Sequence, residues 1–264
     1  MGVPPKALDI AVTAAKEAGR LLLFHHRKPL RIKIKDNNPR NLVTNADTEA
    51  DAAIRAVILG SFPCHTILSE ESSHEGREYT WHVDPLDGTT NYSRGGDYFC
   101  TSIALAKGRD IILGVIANHL SGETFTAVKG EGAFCNGKKI RPLEIAGLGE
   151  AMVCVDSGYS IGRRMHTFEL AKAIAGAKAV RMKGSGALSL CEIATGRVDA
   201  YLHMGSKAWD YAAGAIIIRE AGGIVTDLHG REWLLDTSES VLAAGSKQVH
   251  RQFLSAIAKL VGQE

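Results

Sequence analysis

Residues 83–92 read V-D-P-L-D-G-T-T-N-Y and set two acids, Asp84 and Asp87, behind an apolar lead-in. Pro85 fixes its own φ and biases Asp84 towards an extended backbone, so a strand is expected to end there and turn sharply, with both carboxylates facing one space. Like charges this close repel unless a cation lies between them. Hard divalent ions such as Mg²⁺ take oxygen ligands and keep positions for water and substrate phosphate. A pair of them about 3.5 to 4 Å apart can clamp the attacking and leaving oxygens of a phosphoryl transfer. Gly88-Thr89-Thr90-Asn91 complements the acids: glycine lets a ligand approach the backbone, and Thr is a good N-cap for a helix that aims free N–H groups at an anion. The competing reading is an ordinary D-G turn between strands.

Other acids add weight. Glu70 and Glu71, in L-S-E-E-S, follow a short apolar strand, where surface charge would be the ordinary reading. Asp47, in L-V-T-N-A-D, sits at a helix start, where complementing the helix dipole is sufficient reason for an acid. Asp210 follows Trp209 and leads an apolar helix, where it reads as an N-cap. Each is ordinary alone, but together they supply an oxygen donor set. The ten histidines share no ligand spacing, and the five cysteines, an odd number without C-x-x-C, argue against both zinc and a disulfide framework. Cys100 and Cys191 lie in apolar patterns and do not read as nucleophiles. Reduced thiols and the lack of a signal-like N-terminus point to a cytoplasmic protein.

These residues must be positioned by a chain of 264 residues, 45% hydrophobic and 23% charged, with a formal charge of +2. That charge gives no case for nucleic acid. No stretch approaches the roughly 20 apolar residues of a membrane span. Apolar positions 8, 11, 12, 15, 18 and 22 predict a first helix after Pro4 and Pro5, and residues 46–59 predict a second. Residues 30–35 alternate strictly, as a half-buried strand does, and 36–41 form a polar loop. Strands are expected over 66–68, 80–83, 99–106, 111–117 and 123–128, with a hairpin turn at Asn136-Gly137. Beyond Pro142, strands (152–155, 179–182, 198–202, 241–244) alternate with helices (164–175, 187–194, 211–221, 248–261), which implies an α/β layer. Two subdomains follow: 1–141, two helices and a mainly antiparallel sheet carrying most of the acids, and 142–264, an α/β unit carrying Asp210.

D-P-L-D-G-T-T-N-Y, together with W-D-Y-A-A-G-A-I-I-I-R-E-A-G-G at 209–223, resembles the paired signature of the inositol monophosphatase family, among the lithium-sensitive, Mg²⁺-dependent phosphatases. The likeness extends through L-V-T-N-A-D, S-E-E-S, G-A-F-C-N-G and A-T-G-R-V-D-A-Y in order. The resemblance implies an αβαβα sandwich of the inositol monophosphatase and fructose bisphosphatase type, commonly dimeric. It implies that Glu70, Asp84 and the Leu86 carbonyl hold one Mg²⁺, that Asp84, Asp87 and Asp210 hold a second, and that a third sits near Glu70. It gives Gly88 and Thr89 to the phosphate, and Asp47 and Thr89 to orienting the attacking water, with Glu70 beside them. Lys35 corresponds weakly to a lysine on the family's mobile loop.

For substrate, the resemblance implies a small phosphomonoester, inositol 1-phosphate first, with histidinol phosphate, fructose 1,6-bisphosphate or a non-catalytic regulatory module as alternatives. The chain lacks insertions for a nucleotide base. Gly184, Ser185 and Gly186 fall on the segment that lines the sugar pocket. Asp87 and Asp210 also face the substrate. The family's inositol-contacting glutamate corresponds to His203, which offers one donor and one acceptor in place of a carboxylate. His203 reads equally as a strand-end residue facing solvent.

Overall fold

A stripe of alanines (Ala7, Ala11, Ala14, Ala15, Ala18) with Leu22 is almost wholly buried along α1 (Ala7–His25), so small side chains let this helix lie close to its neighbours. The computed structural model describes residues 2–205, 207–235 and 240–261. After α1 come β1 (Ile32–Ile34) and β2 (Leu42–Thr44), an antiparallel ribbon, then α2 (Asn45–Ser61). The alternation in β1 does not bury a face: Ile32 and Ile34 are 48% and 57% exposed. The ribbon is a sheet of its own, and all three residues of β1 lie exposed.

The large sheet holds β3 (Thr66–Ser69), β4 (Ser73–His74), β5 (Tyr79–Asp87), β6 (Cys100–Lys107), β7 (Asp110–Asn118), β8 (Glu123–Val128), β9 (Gly132–Cys135) and β10 (Lys138–Lys139). Its order is β10-β9-β8-β7-β6-β5-β3-β4, and every pair is antiparallel except β3 with β5. The short α3 (Thr89–Ser93) follows β5. The strand expected to stop at Asp84 instead continues through Pro85 to Asp87, with a bulge between the two acids. A bulge bends the strand and re-aims side chains, and it accommodates a proline that cannot donate to the ladder.

The second sheet, order β12-β11-β13-β15-β14, contains β11 (Met152–Asp156), β12 (Ala179–Arg181), β13 (Ala200–Met204), β14 (Ile224–Thr226) and β15 (Ser240–Ala244). Its helices are α4 (Ile161–Ala171), α5 (Gly186–Ala194), α6 (Ala208–Ala221) and α7 (Lys247–Val261). α4 begins three residues earlier than expected, and residues 172–174 form a 3₁₀ turn.

The layers run α1 and α2, the large sheet, α5 and α6, the second sheet, then α4 and α7: an αβαβα sandwich. One apolar core joins Ile116 and Phe125 of the large sheet to Leu190, Ile216 and Tyr201 of the middle and second layers. A boundary near residue 142 thus separates the strands of the two sheets but runs through a shared core. α6 presses close on both sides: a Cβ on Gly114 of β7 would meet Ile216 and the Ala213 carbonyl, and one on Gly214 would meet Leu190. No helix among the described residues is long and apolar enough to cross a membrane.

Candidate active site

The carboxyl ends of β3 and β5 open into a cleft of about 1040 Å³ that lies between the two sheets' ends and is floored by Glu70, Asp84, Asp87 and Asp210. Each acid arrives on a different local structure. Glu70 follows β3, and its N–H donates to the Val83 carbonyl (3.0 Å), which sets it beside β5. Asp84, 3% exposed, accepts the Leu86 N–H (3.0 Å) within the bulge. Asp87 accepts the Ser185 hydroxyl (2.5 Å) and the Ala187 N–H (2.8 Å), so the start of α5 fixes it from the opposite side. Asp210 is not the N-cap of α6; the helix begins at Ala208, and Asp210 reaches back to accept the Lys207 N–H (3.0 Å).

Electrostatics mark this floor. Burial, then Glu70, Asp87 and Asp210, push the Asp84 pKa well above the usual carboxylate range, against the pull of the Leu86 N–H. Asp210 rises likewise, through burial and Glu70 before Asp87. Asp87 reaches about 6: burial, Asp156 and Glu70 outweigh the bonds from Ser185 and Ala187. Such crowding of acids without compensation is costly unless a cation joins them.

The donors are all hard oxygens, with no cysteine or histidine among them, and this set fits Mg²⁺. Among the described residues no three acid, His or Cys side chains are gathered tightly enough to hold a metal ion as they stand. Glu70 leans instead on Lys35, whose Nζ donates to Glu70 Oε1 (2.7 Å) and Glu71 Oε1 (2.8 Å). Burial works against the Lys35 charge, but the two glutamates outweigh it and raise its pKa.

Beside the acids, the chain turns at Gly88. Its φ of 92° and the Tyr98 carbonyl 2.8 Å from where a Cβ would stand leave no room for a side chain. Gly88, not Thr89, is the N-cap of α3, because Thr89 already has helical backbone geometry. The Thr89 hydroxyl instead lies between the Leu86 carbonyl (2.9 Å) and Asp47 Oδ1 (3.1 Å), with one proton for two acceptors. Asp47 is 1% exposed and closes a capping box with Thr44, accepting its N–H (2.9 Å) and hydroxyl (2.5 Å). Burial nevertheless lifts Asp47 to about 7, with Glu71 and Glu70 adding to it.

On the far side, Gly184 and Gly186 line the cleft. Ser185 does not: it is 1% exposed, caps α5 through the Leu188 N–H and acts by holding Asp87. His203 does not face solvent as a strand end. β13 runs two residues past its expected end and carries His203 into the cleft wall, 7% exposed, beside the Tyr201 and Tyr211 rings. Burial and then Arg163 lower its pKa to about 4, so it is neutral.

Sequence reasoning missed Asp156 and the bridging part of Asn91. Asp156 pairs in register with His203 and accepts the Gly184 N–H (2.9 Å) and the Tyr201 hydroxyl (3.2 Å). Asn91 Nδ2 ties the cleft's two sides by donating to the Tyr98 (2.9 Å) and Lys183 (2.8 Å) carbonyls. Asp156 could have been found as the last residue of a strand; Asn91 stands in the G-T-T-N run, and only its bridge across the cleft gave no local signal.

A family model described as the inositol monophosphatase family matches residues 5–262. The chain belongs to the inositol monophosphatase family. A Nus factor SuhB of Pasteurella multocida is 38% identical, covering 97% of each chain. An inositol-1-monophosphatase of Mesorhizobium japonicum is 36% identical, covering 96% of each. Among solved structures, an inositol monophosphatase of Thermotoga maritima superposes with a TM-score of 0.88 at 31% identity, covering 97% of this chain and 98% of that one. Membership of the inositol monophosphatase family supports a phosphatase acting on a small phosphate ester, and the relatives' two names leave the particular substrate to chemistry.

Proposed function

We propose that the protein is a Mg²⁺-dependent phosphomonoesterase that hydrolyses small sugar or polyol phosphates, with inositol 1-phosphate the first candidate. The observation that carries this is the convergence of Glu70, Asp84, Asp87 and Asp210 on one cleft floor beside the Gly88–Thr89 turn. Glu70, Asp84 and the Leu86 carbonyl would hold one ion, Asp84, Asp87 and Asp210 a second, and Glu70 would stand near a third. When bound, Mg²⁺ supplies Lewis-acid stabilisation of the phosphoryl charge and activation of water.

The chain's own part is position and proton handling. The backbone N–H groups of Gly88 and Thr89 receive the phosphate. Thr89 Oγ1 orients the attacking water, and Asp47 Oδ1, 3.1 Å behind it, accepts the proton passed through that hydroxyl. Gly184 and Gly186 leave space for a polyol, and neutral His203 offers it one donor and one acceptor.

The test is inorganic phosphate release from inositol 1-phosphate, fructose 1,6-bisphosphate and histidinol phosphate, with and without Mg²⁺ and with added Li⁺. Mg²⁺-dependent, Li⁺-inhibited release supports the reading. The relatives named Nus factor SuhB favour one alternative, a regulatory interaction module on the same fold. No turnover of any of the three esters by folded protein in Mg²⁺ would support it.

A further inference from the structure

We propose that Thr101 and His119 are positioning residues for the cation floor: together they clamp the Pro85–Leu86 peptide and, through it, the Asp84 carboxylate and the Leu86 carbonyl. This rests on the reading of that floor as a Mg²⁺ site and adds the parts, outside the cleft, that set its geometry.

The need arises in the bulge of β5. Asp84 pairs with Ser102 and Asp87 with Cys100, so Pro85 and Leu86 together face one residue, Thr101. A bulge breaks the ladder locally, and proline has no N–H to give it. The peptide between Pro85 and Leu86 is held at both ends by side chains instead. Its N–H, that of Leu86, donates to Asp84 Oδ1 (3.0 Å), and its carbonyl, that of Pro85, accepts the Thr101 hydroxyl (2.9 Å). Turning this peptide would break both bonds at once. Thr101 thereby fixes which oxygen of Asp84 the backbone engages and which way the following Leu86 carbonyl points.

His119 holds Thr101 in turn. The Thr101 hydroxyl has one proton, committed to Pro85, so His119 Nε2 at 2.8 Å is the donor to the same oxygen. A hydroxyl engaged on both sides has few other directions for its proton. Thr101 and Pro85 are both buried, where a carbonyl that lost this partner would find no water to replace it. β7 brings the histidine here: Thr101 pairs with Ala117, and His119 follows two residues on. Its ring rests against α1, where a Cβ on Gly19 would overlap His119 Nδ1, so only glycine admits it. None of Gly19, Thr101 and His119 lines the cleft, so each acts on the floor through the backbone of β5.

Thr101→Val keeps the shape and removes the donor, whereas Thr101→Ser keeps the donor. Calorimetric titration with Mg²⁺ gives the dissociation constant without turnover, and phosphate release from inositol 1-phosphate gives KM at saturating Mg²⁺. Thr101→Val is expected to weaken Mg²⁺ binding at least about tenfold with KM within about twofold, and Thr101→Ser to recover most of the loss. His119→Leu should weaken binding about threefold, and His119→Gln, which can still donate, much less. A purely structural role would lower the thermal midpoint in EDTA and leave the Mg²⁺ dissociation constant unchanged. That result, or Thr101→Ser binding as weakly as Thr101→Val, overturns the proposal. If Thr101→Val does not fold, the His119 variants decide by the same titration, and binding in His119→Leu equal to wild type rejects the clamp. A wild type that binds Mg²⁺ but hydrolyses no ester ends the phosphatase reading and leaves the titration to decide the clamp; a wild type that binds no Mg²⁺ ends the clamp as well.

Discussion

Asp227 and Asp84 are both buried aspartates, 4% and 3% exposed, yet their surroundings push them in opposite directions. Asp227 accepts Arg231 Nε (2.6 Å) and the N–H groups of His229 (2.8 Å) and Arg231 (3.0 Å). Burial alone would raise its pKa, but these donors outweigh burial and lower it. Asp84 has one N–H and three acids for company, and its pKa rises. The turn at Asp227 is built for stability; the floor is assembled at stability's expense, which is expected where a site awaits a cation.

The sharpest way to break that contrast is Asp84→Asn. It keeps the acceptor for Leu86 but removes a charge, so phosphate release should fall on the order of 10³-fold or more, since a Lewis acid contributes several kcal/mol. The thermal midpoint in EDTA should hold or rise, and a clear drop would mean the floor is structural after all.

Acid titration comes next. His119 Nε2 lies 2.8 Å from the Thr101 hydroxyl, whose proton goes to the Pro85 carbonyl, so His119 Nε2 must be the donor. Burial depresses its pKa to about 4, as burial and Arg163 do for His203. The unfolded chain binds these protons near pH 6.5 and the folded one does not, so stability is complete above about pH 6.5 and is lost towards pH 4. Urea unfolding at pH 7 and 4.5 should show a loss on the order of 2 kcal/mol for His119, absent in His119→Gln.

Asp227→Asn should cost about 1 to 2 kcal/mol in urea unfolding while leaving kcat/KM within about twofold. A large kinetic defect would erase the distinction between the two aspartates. Smallest is Lys35→Met. Without a cation competing for Glu70, the Mg²⁺ concentration for half-maximal activity should fall on the order of tenfold, read from a Mg²⁺ titration.

Much of this was legible in residue order. The helices of 7–25 and 45–61, the Asn136-Gly137 hairpin and the switch to alternating strands and helices follow from local period and turn chemistry. The turn chemistry around Pro85 and Gly88 nominates Asp84 and Asp87, and the family resemblance nominates Asp210. What failed depended on layers. Residues 32–34 alternate as a half-buried strand does, but all three lie exposed. Pro85 read as a stop, whereas the neighbouring β6 ladder absorbs it as a bulge. Ser185 was placed by its segment's pocket-lining resemblance, yet it turns inward to Asp87.

α6 touches Leu190 on one side through Gly214 and abuts β7 at Gly114 on the other, so the helix has almost no freedom to slide. Its first turn carries Asp210, and this wedged rod therefore sets how far that oxygen pair stands from those on β5. Loops at the rim can vary in sequence without disturbing that spacing, whereas any bulk added at either glycine would be felt at Asp210.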